Sequence, residues 1–163
     1  KRGPYIKDLV EGRGGRPAGE PVGVCSTFLA SLDRLQADLS KLRVARIDGS
    51  VSAATRTRTV DAFQRGEIDV FLLQTIAGGV GITLTRSNRT LFVDLHWTAA
   101  DFDQACARVR RLGQERQTIC QMAQLSHPVD RKIVRHILSK ANAWNALETA
   151  LVHETSTHGD RLR

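Results

Sequence analysis

Apolar positions along the chain alternate between two rhythms: short unbroken runs, and longer stretches in which they recur every three or four residues. The first rhythm predicts buried strands and the second predicts amphipathic helices. Val22-Gly-Val-Cys-Ser26 reads as a strand ending in a hydroxyl. Phe28, Leu29, Leu32, Leu35 and Leu39 follow at helical spacing, with Thr27 or Ser31 placed to cap. Val44 to Ile47 is a second strand, closed by Asp48-Gly49-Ser50. Ser52 to Gln64 is a second helix, with Gly66 as its stop. Ile68 to Leu73 and Leu91 to Asp94 are the next strands. Asp101 to Leu112 reads as a helix and Thr118 to Leu125 as a fifth strand. Val129 to Leu151, entered through Pro128, predicts one long closing helix.

Strands that alternate with helices pair in parallel through right-handed crossovers. The expected class is therefore α/β, with a mostly parallel sheet of about five to six strands flanked by helices. Before it, Pro4 to Val10 predicts a short lead-in helix and Glu11 to Pro21 a flexible loop. The expected organisation is 1–21 lead-in, 22–151 main lobe including the long helix, and 152–163 loose tail. Neither internal repeats nor low-complexity blocks interrupt it. In open parallel sheets, ligands meet the carboxyl ends of the strands. Polar residues cluster at those ends: Ser26 and Thr27, Asp48 to Ser50, Thr75 to Gly81, and Asp94.

Charge narrows the choice of partner. A formal net charge of +7 over 163 residues favours a polyanion, nucleic acid first. The apolar runs are too short for a membrane helix, and no signal peptide is evident. The opening Lys1 suggests a piece of something longer. Cys25, Cys106 and Cys120 are far apart in apolar settings and read as reduced, buried and intracellular. Metal and covalent catalysis find little support. His153 and His158 lack a third ligand, and no Ser/His/acid arrangement stands out. Trp97 and Trp144 read as packing residues.

The densest chemistry lies in Gln104-Ala-Cys-Ala-Arg108-Val-Arg-Arg111-Leu-Gly113-Gln114. Read as a helix, it aligns Gln104, Arg108 and Arg111 on one stripe, with Phe102, Ala105, Cys106, Val109 and Leu112 on another. Two guanidiniums a turn apart suit the spreading charge of phosphoryl transfer; a solvated basic face explains them equally well. Thr75-Ile-Ala-Gly78-Gly79-Val-Gly81 follows a strong strand, where glycines let backbone amides approach an anion or simply turn tightly. Neither a Walker loop nor a dinucleotide fingerprint is present. Arg46, Gly49 and Ser50 are placed to hold a nucleic-acid phosphate, although loop chemistry alone also accounts for Asp-Gly-Ser. Asp94 reads as a structural strand-end acid rather than a magnesium ligand.

Together these pieces resemble the C-terminal RecA-like lobe of Swi/Snf-type ATPases in helicase superfamily two. Gln104-Ala-x-x-Arg108-x-x-Arg111-x-Gly113-Gln114 resembles motif VI, and Gly78-Gly79-x-Gly81-Ile82-x-Leu84-Thr85 resembles motif V. The family's usual Trp-Asn-Pro stands here as Trp97-Thr98-Ala99. The resemblance implies a RecA-like three-layer domain that closes with a first lobe over ATP and Mg²⁺. Arg108 and Arg111 would then be catalytic arginine fingers, with Gln104, Gly78, Gly79 and Gly81 at the nucleotide edge. Ser26, Thr27, Arg46, Gly49, Ser50 and Thr75 would grip one strand of double-stranded DNA. It also implies a location inside the cell, nuclear in a eukaryote and cytoplasmic in a bacterium or phage. The alternative is a non-catalytic basic module that binds nucleic acid or a partner protein.

Overall fold

In the computed structural model the described residues are 6–8, 10–11, 20–75, 82–94, 99–107, 111–124, 127–141 and 148–152. Six strands form one sheet in the order β2-β3-β1-β4-β5-β6. They are β1 Val22–Ser26, β2 Val44–Ile47, β3 Val70–Gln74, β4 Arg89–Phe92, β5 Ile119–Ala123 and β6 Glu148–Val152. Every pairing is parallel. The helices are α1 Leu29–Asp38, α2 Ala53–Arg65, α3 Ala99–Cys106 and α4 Pro128–Ala141. The expected α/β class and parallel sheet are what the chain adopts.

Alternation along each strand divides the core into two layers. Val22 and Val24 of β1, Val70 and Leu72 of β3, and Leu91 face one side, where Leu32 and Leu35 of α1, with Leu39 at its C-cap, cover them. Cys25, Phe71, Leu73, Phe92, Cys120 and Met122 face the other, under Phe63 of α2, Phe102 of α3, and Val134 and Ile137 of α4. Phe63 meets Phe71 edge to face at 5.3 Å between ring centroids, and Phe92 lies 4.9 Å from Phe102. Burying each such ring stabilises the fold by about 2–3 kcal/mol. The lead-in is part of this core, since Ile6 and Val10 are buried in the α1 layer. All three cysteines are buried thiols outside any disulfide.

Helix α2 follows its sequence signals closely. Ser52 Oγ accepts from Thr55 N at 3.2 Å, and Gly66 closes the helix at φ +89°. Three other expectations are corrected. Helix α1 carries no side-chain cap: its cap residue is Phe28, and Phe28 and Leu29 are exposed rather than buried. The reason lies two residues upstream, where Ser26 Oγ accepts from Phe28 N at 3.1 Å and turns the chain outward.

The helix expected to run to Leu112 stops at Cys106. Residues 111–113 form a bend and turn, in which Gln114 N donates to Arg111 O at 2.9 Å, Gly113 takes φ +96° and Leu112 is fully exposed. That left-handed turn ends any helical continuation. The long closing helix also ends early, at Ala141, and Glu148–Val152 joins the sheet beside β5. An unpaired β5 edge offers backbone partners to a β-prone run, and this outweighs helical spacing read over so short a stretch. Val152 is therefore strand rather than tail, while Trp97, Trp144, His153 and His158 lie outside the described residues.

Candidate functional site

The carboxyl ends of β1, β2, β3 and β4 carry most of the candidate residues, and their polar groups are already engaged with one another. Ser26 Oγ donates to Asp94 Oδ2, joining the ends of β1 and β4 across the sheet. Both residues are buried, which matches the reading of Asp94 as a structural acid. Thr75 N donates to Ser26 O at 3.0 Å, bringing the end of β3 to the same place. Thr75 Oγ1 is buried and has no partner among the described residues. Thr27 is half-buried at the turn into α1.

Beside this cluster, the Asp48-Gly49-Ser50 turn is held from within. Ser50 sends both its amide and its hydroxyl to Asp48 Oδ1, at 2.9 and 2.6 Å. Arg46 Nε donates to Asp48 Oδ2 at 2.7 Å, and its NH1 reaches Asp33. The Ser50 hydroxyl, then its amide and Arg46, hold the Asp48 carboxyl below its ordinary pKa against the opposing effect of burial. Asp33 first, then Asp48, hold Arg46 above its already high value. Gln74 ties the turn to β1: its Oε1 accepts from Gly49 N at 3.3 Å and its Nε2 donates to Thr27 O at 3.5 Å. Arg46, Gly49 and Ser50 are thus brought together, with Arg46 committed to two carboxylates.

The second group is built around the segment 83–87. Gln64, on the last turn of α2, donates to Thr83 O at 3.1 Å and Thr85 Oγ1 at 3.2 Å, and accepts from Arg86 N at 3.0 Å. From the opposite side Gln114 donates to Thr85 O at 2.9 Å and Ser87 O at 2.8 Å, and Arg116 reaches Arg86 O. Arg86 itself lies over the Phe63 ring, 5.6 Å from its centroid, and donates to Ile68 O at 2.8 Å. Arg111 is exposed and rests on this frame, its NH1 donating to Thr83 Oγ1 at 3.2 Å.

Gln104 is exposed on α3. Arg108, Gly78, Gly79 and Gly81 lie outside the described residues. Gln64, Gln74 and Asp33 escaped the sequence reading, because a lone amide or acid on a helix face or strand end carries no spacing signal. Gln114 was visible as the last letter of the motif-VI pattern, but not as a strut. Among the described residues, no group of three or more His, Cys, Asp or Glu could hold a metal ion, and no helix is long and apolar enough to cross a membrane.

Comparison with known proteins places this geometry. A family model described as the helicase conserved C-terminal domain matches residues 6–113. Chromatin remodeling 24 of Arabidopsis thaliana is 33% identical over 85% of the chain, which spans 13% of that relative. DNA repair protein RAD5 of Cryptococcus neoformans is 33% identical over 86% of the chain, which spans 11% of it. The chromatin-remodeling ATPase INO80 of Aspergillus terreus is 39% identical over 66% of the chain and 6% of its own length. Among solved structures, the C-terminal part of the Fun30 ATPase domain superposes with a TM-score of 0.74 at 27% identity, over 83% of this chain and 45% of that one. The C-terminal domain of the DEAD-box protein Dbp5 shares the fold, with a TM-score of 0.71 at 14% identity over 87% of this chain and 79% of that one. The chain therefore belongs to the helicase conserved C-terminal domain family and has the RecA-like fold of the C-terminal lobe of Swi/Snf-type ATPases.

Proposed function

We propose that this chain is the second motor lobe of an ATP-dependent double-stranded DNA translocase or remodeller. It acts with a first RecA-like lobe that holds ATP and Mg²⁺. The observation that carries the reading is Arg111: an exposed guanidinium seated on Thr83, within a segment braced by Gln64 and Gln114. A cation held on a braced support fits a phosphate-facing role, because little reorganisation is needed when charge develops. Bound ATP supplies the scissile phosphoanhydride. Arg111, with Arg108 by the family resemblance, stabilises negative charge on the transferred phosphoryl group. Gln104, Gly78, Gly79 and Gly81 complete the edge facing the nucleotide.

DNA is held at the carboxyl ends of the strands, where Ser26, Thr27, Gly49, Ser50 and Thr75 face phosphate oxygens of one strand. Arg46 contributes by fixing Asp48, and through it the Ser50 turn. Strand capture exchanges internal hydrogen bonds, such as Ser50 to Asp48, for bonds to phosphate, so the contact forms at modest net cost.

The test is ATP turnover by the full-length protein with and without double-stranded DNA. Arg111→Ala is expected to lower turnover by roughly 10³-fold or more while DNA binding stays largely intact. Near-normal turnover in that variant would remove the finger assignment. The 163-residue chain alone is expected to turn over little or no ATP.

A further inference from the structure

The side-chain amide of a glutamine offers two N–H donors and one carbonyl acceptor, and Gln64 commits all three to a single stretch of chain. Its Nε2 donates to Thr83 O at 3.1 Å and to Thr85 Oγ1 at 3.2 Å, while its Oε1 accepts from Arg86 N at 3.0 Å. It therefore holds residues 83–86 much as a neighbouring strand would, from a half-buried place on the last turn of α2. The helix fixes where that amide stands. Ser52 caps its start, Phe63 is fully buried beside Gln64, and Gly66 stops it in the left-handed conformation. Arg86 clasps the same helix end, donating to Phe63 O at 3.3 Å and to Ile68 O at 2.8 Å. Gln114 braces the segment differently: its two bonds go to Thr85 O and Ser87 O. The hydroxyl that accepts from Arg111 NH1, at 3.2 Å, belongs to Thr83. Of the two glutamines, Gln64 is the one bonded to the residue beneath Arg111.

We propose that Gln64 is a positioning residue for ATP hydrolysis: its amide sets the place of Thr83, and through the Thr83 hydroxyl the direction of the Arg111 guanidinium. The proposal rests on the reading of Arg111 as a phosphate-facing group. The amide is specific to the task. Leucine would fill the space and bond to nothing. Glutamate would lose both donors and set an anion against the Thr83 carbonyl. A charge-stabilising group moved by about 1 Å can lose about 10²-fold in rate, so a seat that is slack by that much is felt in the chemical step rather than in substrate binding.

The experiment is steady-state and single-turnover ATP hydrolysis by the full-length protein in the presence of double-stranded DNA. Gln64→Leu is expected to lower kcat about ten- to a hundredfold, with KM for ATP and DNA affinity within about twofold of the parent protein. Gln64→Glu should lose at least as much. In an Arg111→Ala background, Gln64→Leu should change the single-turnover rate by less than about twofold, since a residue that acts through the guanidinium then has nothing left to position. A purely structural brace would lower the rate by the same factor in both backgrounds, and that result would overturn the proposal. So would a kcat within about twofold of the parent, or a loss confined to KM. Should Gln64→Leu fail to fold, Thr83→Val removes the seat hydroxyl at nearly constant shape and should show the same dependence on Arg111. Arg111→Ala by itself separates the two claims. Near-normal turnover there removes the finger assignment, whereas a large loss there with near-normal turnover in Gln64→Leu removes the positioning role alone.

Discussion

The two polar clusters of this lobe are built on opposite plans. At the carboxyl ends of β1 and β2, hydrogen-bond donors are turned inward: Ser26 to Asp94, Ser50 to Asp48, Gly49 to Gln74, and Arg46 to two acids. Around residues 83–87 the plan is reversed. There the donors of Gln64, Gln114 and Arg116 converge on backbone carbonyls, and the product is an exposed arginine on a braced seat. The first cluster must release bonds to engage a ligand; the second keeps its braces on the backbone and holds an exposed side chain above them. A gripping surface that lets go on every cycle benefits from the first plan, and a charge-stabilising group from the second.

The largest effect that would sharpen this contrast is the loss of turnover in Arg111→Ala described above. By comparison, Ser26→Ala should alter DNA affinity far more than the maximal rate, and equal damage to both from either substitution would erase the contrast. Next comes the brace. Gln114→Leu strands the Thr85 and Ser87 carbonyls and should cost about 2 kcal/mol in urea unfolding. It should also broaden the dispersion of the Arg111 side-chain resonance; stability unchanged within error would show that the brace contributes little.

A smaller effect comes from Ser50→Ala, about 1 kcal/mol near neutral pH. Because Asp48 has a depressed folded pKa, its contribution is present above the ordinary carboxylate value of about 4 and fades as pH falls through the folded value. The variant should therefore converge with the parent protein in acid, and a gap that persists there would point to packing instead. Smallest of all, Arg46→Gln should leave the salt dependence of DNA binding unchanged, since its guanidinium serves Asp33 and Asp48. A salt slope reduced by about one would make Arg46 a phosphate ligand.

Much of this was legible from residue pattern. Helix α2 announces itself through Ser52 and Gly66, and each does locally what its chemistry suggests. The strand ends likewise appear where hydroxyls and acids close apolar runs. What escaped are outcomes decided by distant partners. Leu112 fits a helical stripe, yet Gln114 and Arg111 take their partners from residues 83–87 and pull the chain off the helix. Glu148 to Leu151 fits the end of a helical pattern, yet β5 offers it an edge. Phe28 fits the face of α1, yet Ser26 turns it outward. Spacing reports which face is oily; it says nothing of which backbone stands opposite.

The burial of Ile6 and Val10 in the same core layer as α1 carries a practical consequence for anyone recombining this unit. A graft cut at Val22, where the first strand opens, would remove two buried members of that core layer and leave a sticky scar there. The exchangeable module starts upstream of Ile6, and chimeras joined there should stay dispersed where shorter ones clump.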